Sequence, residues 1–343
     1  MRSMRAAYFT GVGSPLEVRS LADPTPGVGE VVLKIHRCGI CGSDLHMTNG
    51  HAPHFTLPEN STLGHEFSGE VIAVGKGVEK LSVGDPVTAL PFTGCGHCVT
   101  CLAGKPNFCA EFKGAAAGFA QYAVVAERVA TKLPKTLSMD DGALIEPMAV
   151  GLHGVSLAKL TPGAKVLVIG AGPVGLAATF WARRLGAGRI VATASSLRRE
   201  ALARHMGADA FVVPDAGQDL STLAADVLEG APDVVFECAG QKNLIAQAIQ
   251  CVKPQGDVIV LGFCTVPDQF VPAAAVWKEV RILFAVTYSM REFTHVANVF
   301  DAGHVEPRMM ITDRISLEAL PEVFEALRNR STQCKVMVNP WLS

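Results

Sequence analysis

The 343-residue sequence lacks a surplus of basic charge: 30 Lys and Arg stand against 32 Asp and Glu, for a formal net charge of -2 at pH 7. Binding along a phosphate backbone needs a cationic face, so nucleic acid is excluded as a main partner. The first residues, MRSMRAAYFTGVGSP, lack the apolar core of a secretory signal and carry no lipidation motif; a cytoplasmic protein is expected. A membrane span is missing too. The longest apolar stretch, residues 166–182, is interrupted by glycines and by Pro173 and is short for a bilayer. There is no internal repeat and no low-complexity tract. Charged residues make up only 18% against 49% hydrophobic, which excludes disorder and leaves apolar surface for two cores.

What is present changes character along the chain. Up to about Pro134, runs such as EVVLKIHRCGI, HEFSGEVIAVG and QYAVVAERVATKLP are rich in β-branched residues and separated by Gly, Pro and Asp turns, predicting a β lobe. From Met139, helical and strand-like segments alternate. A helix is expected after Glu146-Pro147, with Pro147 at its first turn, followed by KVLVIG, a helix through Ala182, RIVATA, a helix over 197–206, PDVVFECAG, a helix near 244–252, GDVIVLGF and VRILFAVTY. This rhythm predicts an α/β, doubly wound parallel sheet with right-handed crossovers. After about Ser289 it gives way to two short helices and a last strand, KVMVNP, assigned back to the first lobe. The expected domains are therefore 1–146 with 286–343, and 147–285 inserted between them.

Within VLVIGAGPVGL, Gly170, Gly172 and Gly175 form G-x-G-x-x-G directly after an apolar strand, and Pro173 and Val174 open the following helix. The first glycine permits the tight turn, the second lets backbone approach a pyrophosphate, and the third lets helix pack on strand. The next strand ends near Thr193, where an acidic residue would bind the ribose hydroxyls of NAD. None is there. Ala194, Ser195, Arg198 and Arg199 follow instead, removing a charge that would repel a 2′-phosphate and adding a hydroxyl and two guanidinium groups. NADP is therefore expected in preference to NAD.

Ten cysteines in a reducing compartment argue for metal ligation before disulfides. Cys95, Cys98, Cys101 and Cys109 follow C-x2-C-x2-C-x7-C. Four thiolates at this spacing fill a tetrahedral zinc, leaving no open position, so that ion is structural.

Five motifs in order, CGICGSDLH from Cys38, GHEFSGEV from Gly64, GCGHCVTC with the later Cys109, Glu146-Pro147 and GAGPVG, resemble the zinc-dependent medium-chain alcohol and polyol dehydrogenases over nearly the whole chain. The segment EPMAVGLHG is nearer the sorbitol and butanediol dehydrogenase pattern than that of threonine dehydrogenases. The resemblance implies a GroES-like β catalytic domain formed by both termini, a Rossmann coenzyme domain, an active site in the cleft, and a homodimer or homotetramer. It also implies a second, catalytic zinc held by Cys41 and His65, with Glu66 and Glu146 completing the set directly or through a water. On a regular strand His65 and Glu66 would face opposite ways, so both can reach one metal only if Gly64 relaxes the backbone.

By the same resemblance, Ser43 takes the alcohol proton, Asp44 orients the histidine ligand, and His46 ends the relay. The implied function is hydride transfer between a secondary alcohol or polyol and NADP, interconverting alcohol and carbonyl. An NADPH-dependent aldehyde or ketone reductase is the alternative direction. A non-catalytic NADP-binding protein holding only its structural zinc is the reading from another class. Of the remaining histidines, His51 and His54 are expected to be plain loop residues.

Overall fold

The strand Glu30–Gly39 organises the N-terminal part of the chain. A computed structural model describes residues 3–51, 56–114, 117–329 and 332–342; His54 lies outside them. Two units emerge, Met1–Glu146 with Ser289–Ser343, and Pro147–Tyr288.

In the first unit, Val31, Val32, Leu33, Ile35 and Cys38 are all buried, which fixes Glu30–Gly39 as a central strand. It pairs antiparallel with Glu66–Val74 along one edge, and with both Tyr122–Ala126 and Lys335–Asn339 along the other. Gly39 is the register partner of Glu66, and Met337 of Gly39. One short stretch of sheet thus gathers residues from near the start and the end of the sequence. The core beneath joins Phe9, Phe67, Phe119, Leu320, Phe324 and Val338, each large side chain stabilising by about 1.5–3 kcal/mol on burial.

The second unit is a six-stranded parallel sheet in the order Ala210–Val212, Arg189–Thr193, Lys165–Ile169, Val234–Glu237, Asp257–Val260, Arg281–Phe284. Every residue of Val234–Glu237 and Asp257–Val260 is buried, the signature of strands covered on both faces. In the helix Pro173–Arg184, the buried Trp181 satisfies its indole N–H on the Met148 carbonyl at 2.8 Å.

Two expectations are corrected. Glu146-Pro147 does not open a helix: Pro147 lies inside the helix Met139–Leu157. The start is fixed earlier by Ser138, whose N–H and hydroxyl both donate to Asp141 Oδ2 at 2.7 Å. Pro147 only withholds one N–H, from the turn containing Ala143. After Ser289 the chain also forms an unexpected strand, Ile311–Ser316, parallel to Lys335–Asn339. Its half-exposed ITDRIS pattern reflects an edge position and gives little apolar signal. Among the described residues, no helix is long and apolar enough to cross a membrane.

Candidate metal centres and coenzyme loop

Cys41 ends the loop after Glu30–Gly39 and precedes the helix Gly42–Met47, while His65 immediately precedes the strand Glu66–Val74. Because Gly39 and Glu66 are paired, these two chain ends meet. Gly64 has φ +89°, and a Cβ there would lie 2.6 Å from the Phe119 ring and 2.8 Å from Cys38 Sγ. Only glycine fits this turn. It takes His65 out of the strand alternation, so ligand atoms of Cys41, His65 and Glu66 all come within 4.8 Å of one another. Glu146, also buried, stands outside this set.

The surrounding groups orient the three. Asp44 is fully buried; its Oδ2 accepts the Cys41 N–H at 3.1 Å and its Oδ1 lies 3.2 Å from His65 Nδ1. That leaves His65 Nε2 facing inward, 3.4 Å from Ser43 Oγ, which in turn lies 3.2 Å from Cys41 Sγ. Burial alone would lower the His65 pKa, but Asp44 and Cys41 carry it well above its ordinary value. Glu66 Oε2 is buried with no hydrogen-bond partner among the described residues, a free lone pair beside a thiol and an imidazole. Cys, His and Glu are the donor set of zinc, and the residues fit it.

Lys335 is the participant that the sequence hid. Its Nζ donates to Glu66 Oε1 at 2.6 Å and to the Ile40 carbonyl at 3.0 Å. Burial would lower its pKa, yet Glu66, Cys41 and Glu146 raise it above the ordinary lysine value. A charged residue opening the apolar strand KVMVN was the only local signal, and its partner lies 269 positions away.

His46 sits one helical turn beyond Ser43, half-buried. Burial first, then His51 and Arg328, hold its pKa below the ordinary value, so it is a neutral acceptor at neutral pH. His51 itself is exposed.

The four-cysteine loop fits zinc by a separate measure. Cys95 and Cys101 sulfurs are 3.9 Å apart and those of Cys98 and Cys109 3.7 Å, whereas metal–sulfur bonds of ~2.3 Å give a tetrahedron edges of about 3.8 Å. Backbone N–H groups of Cys95 and Glu111 donate to Cys109 Sγ, and that of Cys98 to Cys95 Sγ, each at 3.3 Å. The Thr100 hydroxyl and neighbouring donors push the Cys98 thiol down to about 6. At Gly94 a Cβ would press on the Cys101 sulfur at 2.7 Å. Cys95, Cys98, Cys101 and Cys109 are not joined by disulfides.

In the second unit, Gly170 has φ +99°, and a Cβ there would meet Ala239 at 2.9 Å; one on Gly175 would collide with the Gly170 carbonyl. Gly172, by contrast, opens on empty space at the N-terminus of the helix begun by Pro173 and Val174. Two glycines are needed for packing and one leaves room for a phosphate. The Gly170 N–H donates to the Thr193 carbonyl at 2.9 Å, which places Ala194 and the exposed Ser195 beside the loop. Arg198 and Arg199 follow in the short helix Leu197–Arg199, with Arg198 Nε 3.1 Å from Ser196 Oγ.

Comparison with known proteins agrees with this geometry. The alcohol dehydrogenase GroES-like domain matches residues 27–135 and the zinc-binding dehydrogenase domain matches residues 173–302. Sorbitol dehydrogenase of Bacillus subtilis is 30% identical, with 99% of this chain and 98% of that protein covered. The (R,R)-butanediol dehydrogenase of the same organism is 34% identical over 95% of this chain and 96% of its own. Among solved structures, a zinc-binding dehydrogenase of Sinorhizobium meliloti bound to NADP superimposes with a TM-score of 0.89, at 32% identity, covering 99% of this chain and 100% of that one.

Proposed function

Because the chain belongs to the zinc-type medium-chain alcohol and polyol dehydrogenases, a family of NAD(P)-dependent oxidoreductases, we propose that it oxidises a secondary alcohol or polyol to the ketone with NADP, and carries two zinc ions. Cys41, His65 and Glu66 hold the first, and Cys95, Cys98, Cys101 and Cys109 hold the second. Glu146 lies outside the first cluster, and its negative charge helps to hold Lys335. The observation that carries the reading is the convergence of Cys41, His65 and Glu66 with a hydroxyl, Ser43, against the first two.

When bound, the first zinc would supply Lewis-acid polarisation of the substrate oxygen, and the coenzyme would supply the hydride acceptor. The protein moves the proton. Ser43 Oγ both accepts and donates, so it takes the alcohol proton while passing its own toward His46, which is held neutral to receive it. Asp44 fixes the His65 ring, and Lys335 balances Glu66. Gly172 admits the pyrophosphate, while Ser195, Arg198 and Arg199 take the 2′-phosphate.

The S. meliloti neighbour bound to NADP supports the coenzyme choice. The strand Arg281–Phe284, which has no further strand on its outer edge among the described residues, with Trp277 88% and Phe284 68% exposed, supports assembly as a homodimer or homotetramer. Elemental analysis should find two zinc ions per chain, falling to one in Cys41→Ala. Turnover of diols and polyols with NADP should vanish in that variant. A single zinc per chain and no turnover across the panel would instead identify a non-catalytic NADP-binding protein.

A further inference from the structure

The outer face of the four-cysteine loop carries another donor set. The Cys95 sulfur, one ring nitrogen of His97 and one carboxylate oxygen of Glu111 lie within 4.8 Å of one another, and His97 and Glu111 are exposed. Cys95 therefore belongs to two groups of ligands, one facing in and one facing out. Gly96, at φ +86°, turns the chain so that His97 folds back over it.

Two contacts show that this is an organised arrangement. His97 Nδ1 lies 3.2 Å from the Cys95 carbonyl; an imidazole anchored through one nitrogen on a backbone carbonyl presents the lone pair of the other, the arrangement that metal-binding histidines ordinarily have. The Glu111 N–H is bound to Cys109 Sγ at 3.3 Å, which fixes the carboxylate's backbone against the sulfur cluster. Thiolate, imidazole and carboxylate together suit zinc. Yet two exposed ligands and a sulfur already committed inward do not make a permanent cage.

A four-thiolate cage has no vacant position, so an ion can enter or leave it only by exchanging ligands one at a time. We infer that Cys95, His97 and Glu111 form an outer transfer position through which zinc reaches and leaves the four-thiolate centre. On entry, the bonds that zinc would make to His97, to Glu111 and to a water completing its four ligands break one by one as bonds to Cys98, Cys101 and Cys109 form, and any thiol proton passes to water. No electron is transferred. The inference rests on the four cysteines holding zinc, as proposed above.

The test uses the full-length, zinc-loaded protein in a Cys41→Ser background, so that the four-thiolate ion is the one followed. Release is timed with a chromophoric chelator. Uptake by the stripped chain is timed with Co²⁺ through its thiolate absorption. In His97→Ala/Glu111→Gln both rates should fall about tenfold, with the melting temperature of the loaded protein unchanged. Parental rates would overturn the transfer role, as would faster release alone, which would make the two residues simple stabilisers. One equivalent of zinc released at the parental rate sinks only this inference, whereas a Cys41→Ser chain holding no zinc sinks the four-cysteine reading and this one together.

Discussion

Lys335 and Glu66 form an ion pair at 2.6 Å with both side chains about 1% exposed. Removing one member of such a pair leaves the other buried and uncompensated, at a cost of about 3–5 kcal/mol. Lys335→Met should therefore destabilise the metal-free protein by about that amount. Zinc beside Glu66 would replace the missing positive charge, so the loaded protein should lose less. Denaturant titrations with and without zinc check both halves, and equal losses would count against Glu66 as a ligand.

Gly39 lies in register with Glu66, and a Cβ there would collide with Glu66 Oε2 and lie 3.1 Å from the Lys335 side chain. Both neighbours are held by the ion pair and cannot swing away. Gly39→Ala should cost about 1–3 kcal/mol through overpacking and displace the carboxylate. The expected readout is one zinc ion lost per chain, the four-cysteine ion being retained.

Asp141 caps the helix Met139–Leu157 and accepts a bidentate pair from Arg308 at 2.6 and 2.9 Å. Although burial opposes ionisation, Arg308 and Ser138 hold its carboxyl below the ordinary value. With the folded pKa depressed, this stabilisation is fully present above the unfolded pKa and is lost as pH falls through the folded one. Asp141→Asn should lower stability by about 2 kcal/mol at neutral pH and flatten the acid limb of the stability–pH curve below about 4. Unfolding midpoints measured from pH 2 to 7 check it.

Ser195, Arg198 and Arg199 follow the strand Arg189–Thr193 with no acidic residue among them. Replacing both arginines by alanine should raise KM for NADP at least about tenfold, the effect of losing charge-assisted bonds worth roughly 1.5–3 kcal/mol. The corresponding value for NAD should barely move. Equal effects on both coenzymes would show that the arginines serve the helix and not the 2′-phosphate.

The alternation of strands and helices from Lys165 to Phe284 was legible because buried parallel strands are unbroken apolar runs, such as VLVI and DVIV, punctuated by glycine. The four-cysteine loop was legible because its ligands lie within 15 residues of sequence. What escaped notice was long-range. Lys335 could not be linked to Glu66 until strand register had joined them, and Ile311–Ser316 is too exposed to carry a strand pattern. The position of Pro147 misled for a different reason. Proline is commonest at a first helical turn, but Ser138 and Asp141 had already started this helix.

The strand Lys335–Asn339 has a consequence for how the protein is made. Cys41, His65 and Glu66 leave the ribosome early, but the cation that neutralises Glu66 is translated 269 residues later, after the whole of Pro147–Tyr288. Until then the nascent first unit carries an unbalanced carboxylate at the place where its sheet must close. The sheet can therefore be completed only once Lys335 has been made, and a chain cut short before that residue would carry its ligand residues with the sheet unsealed.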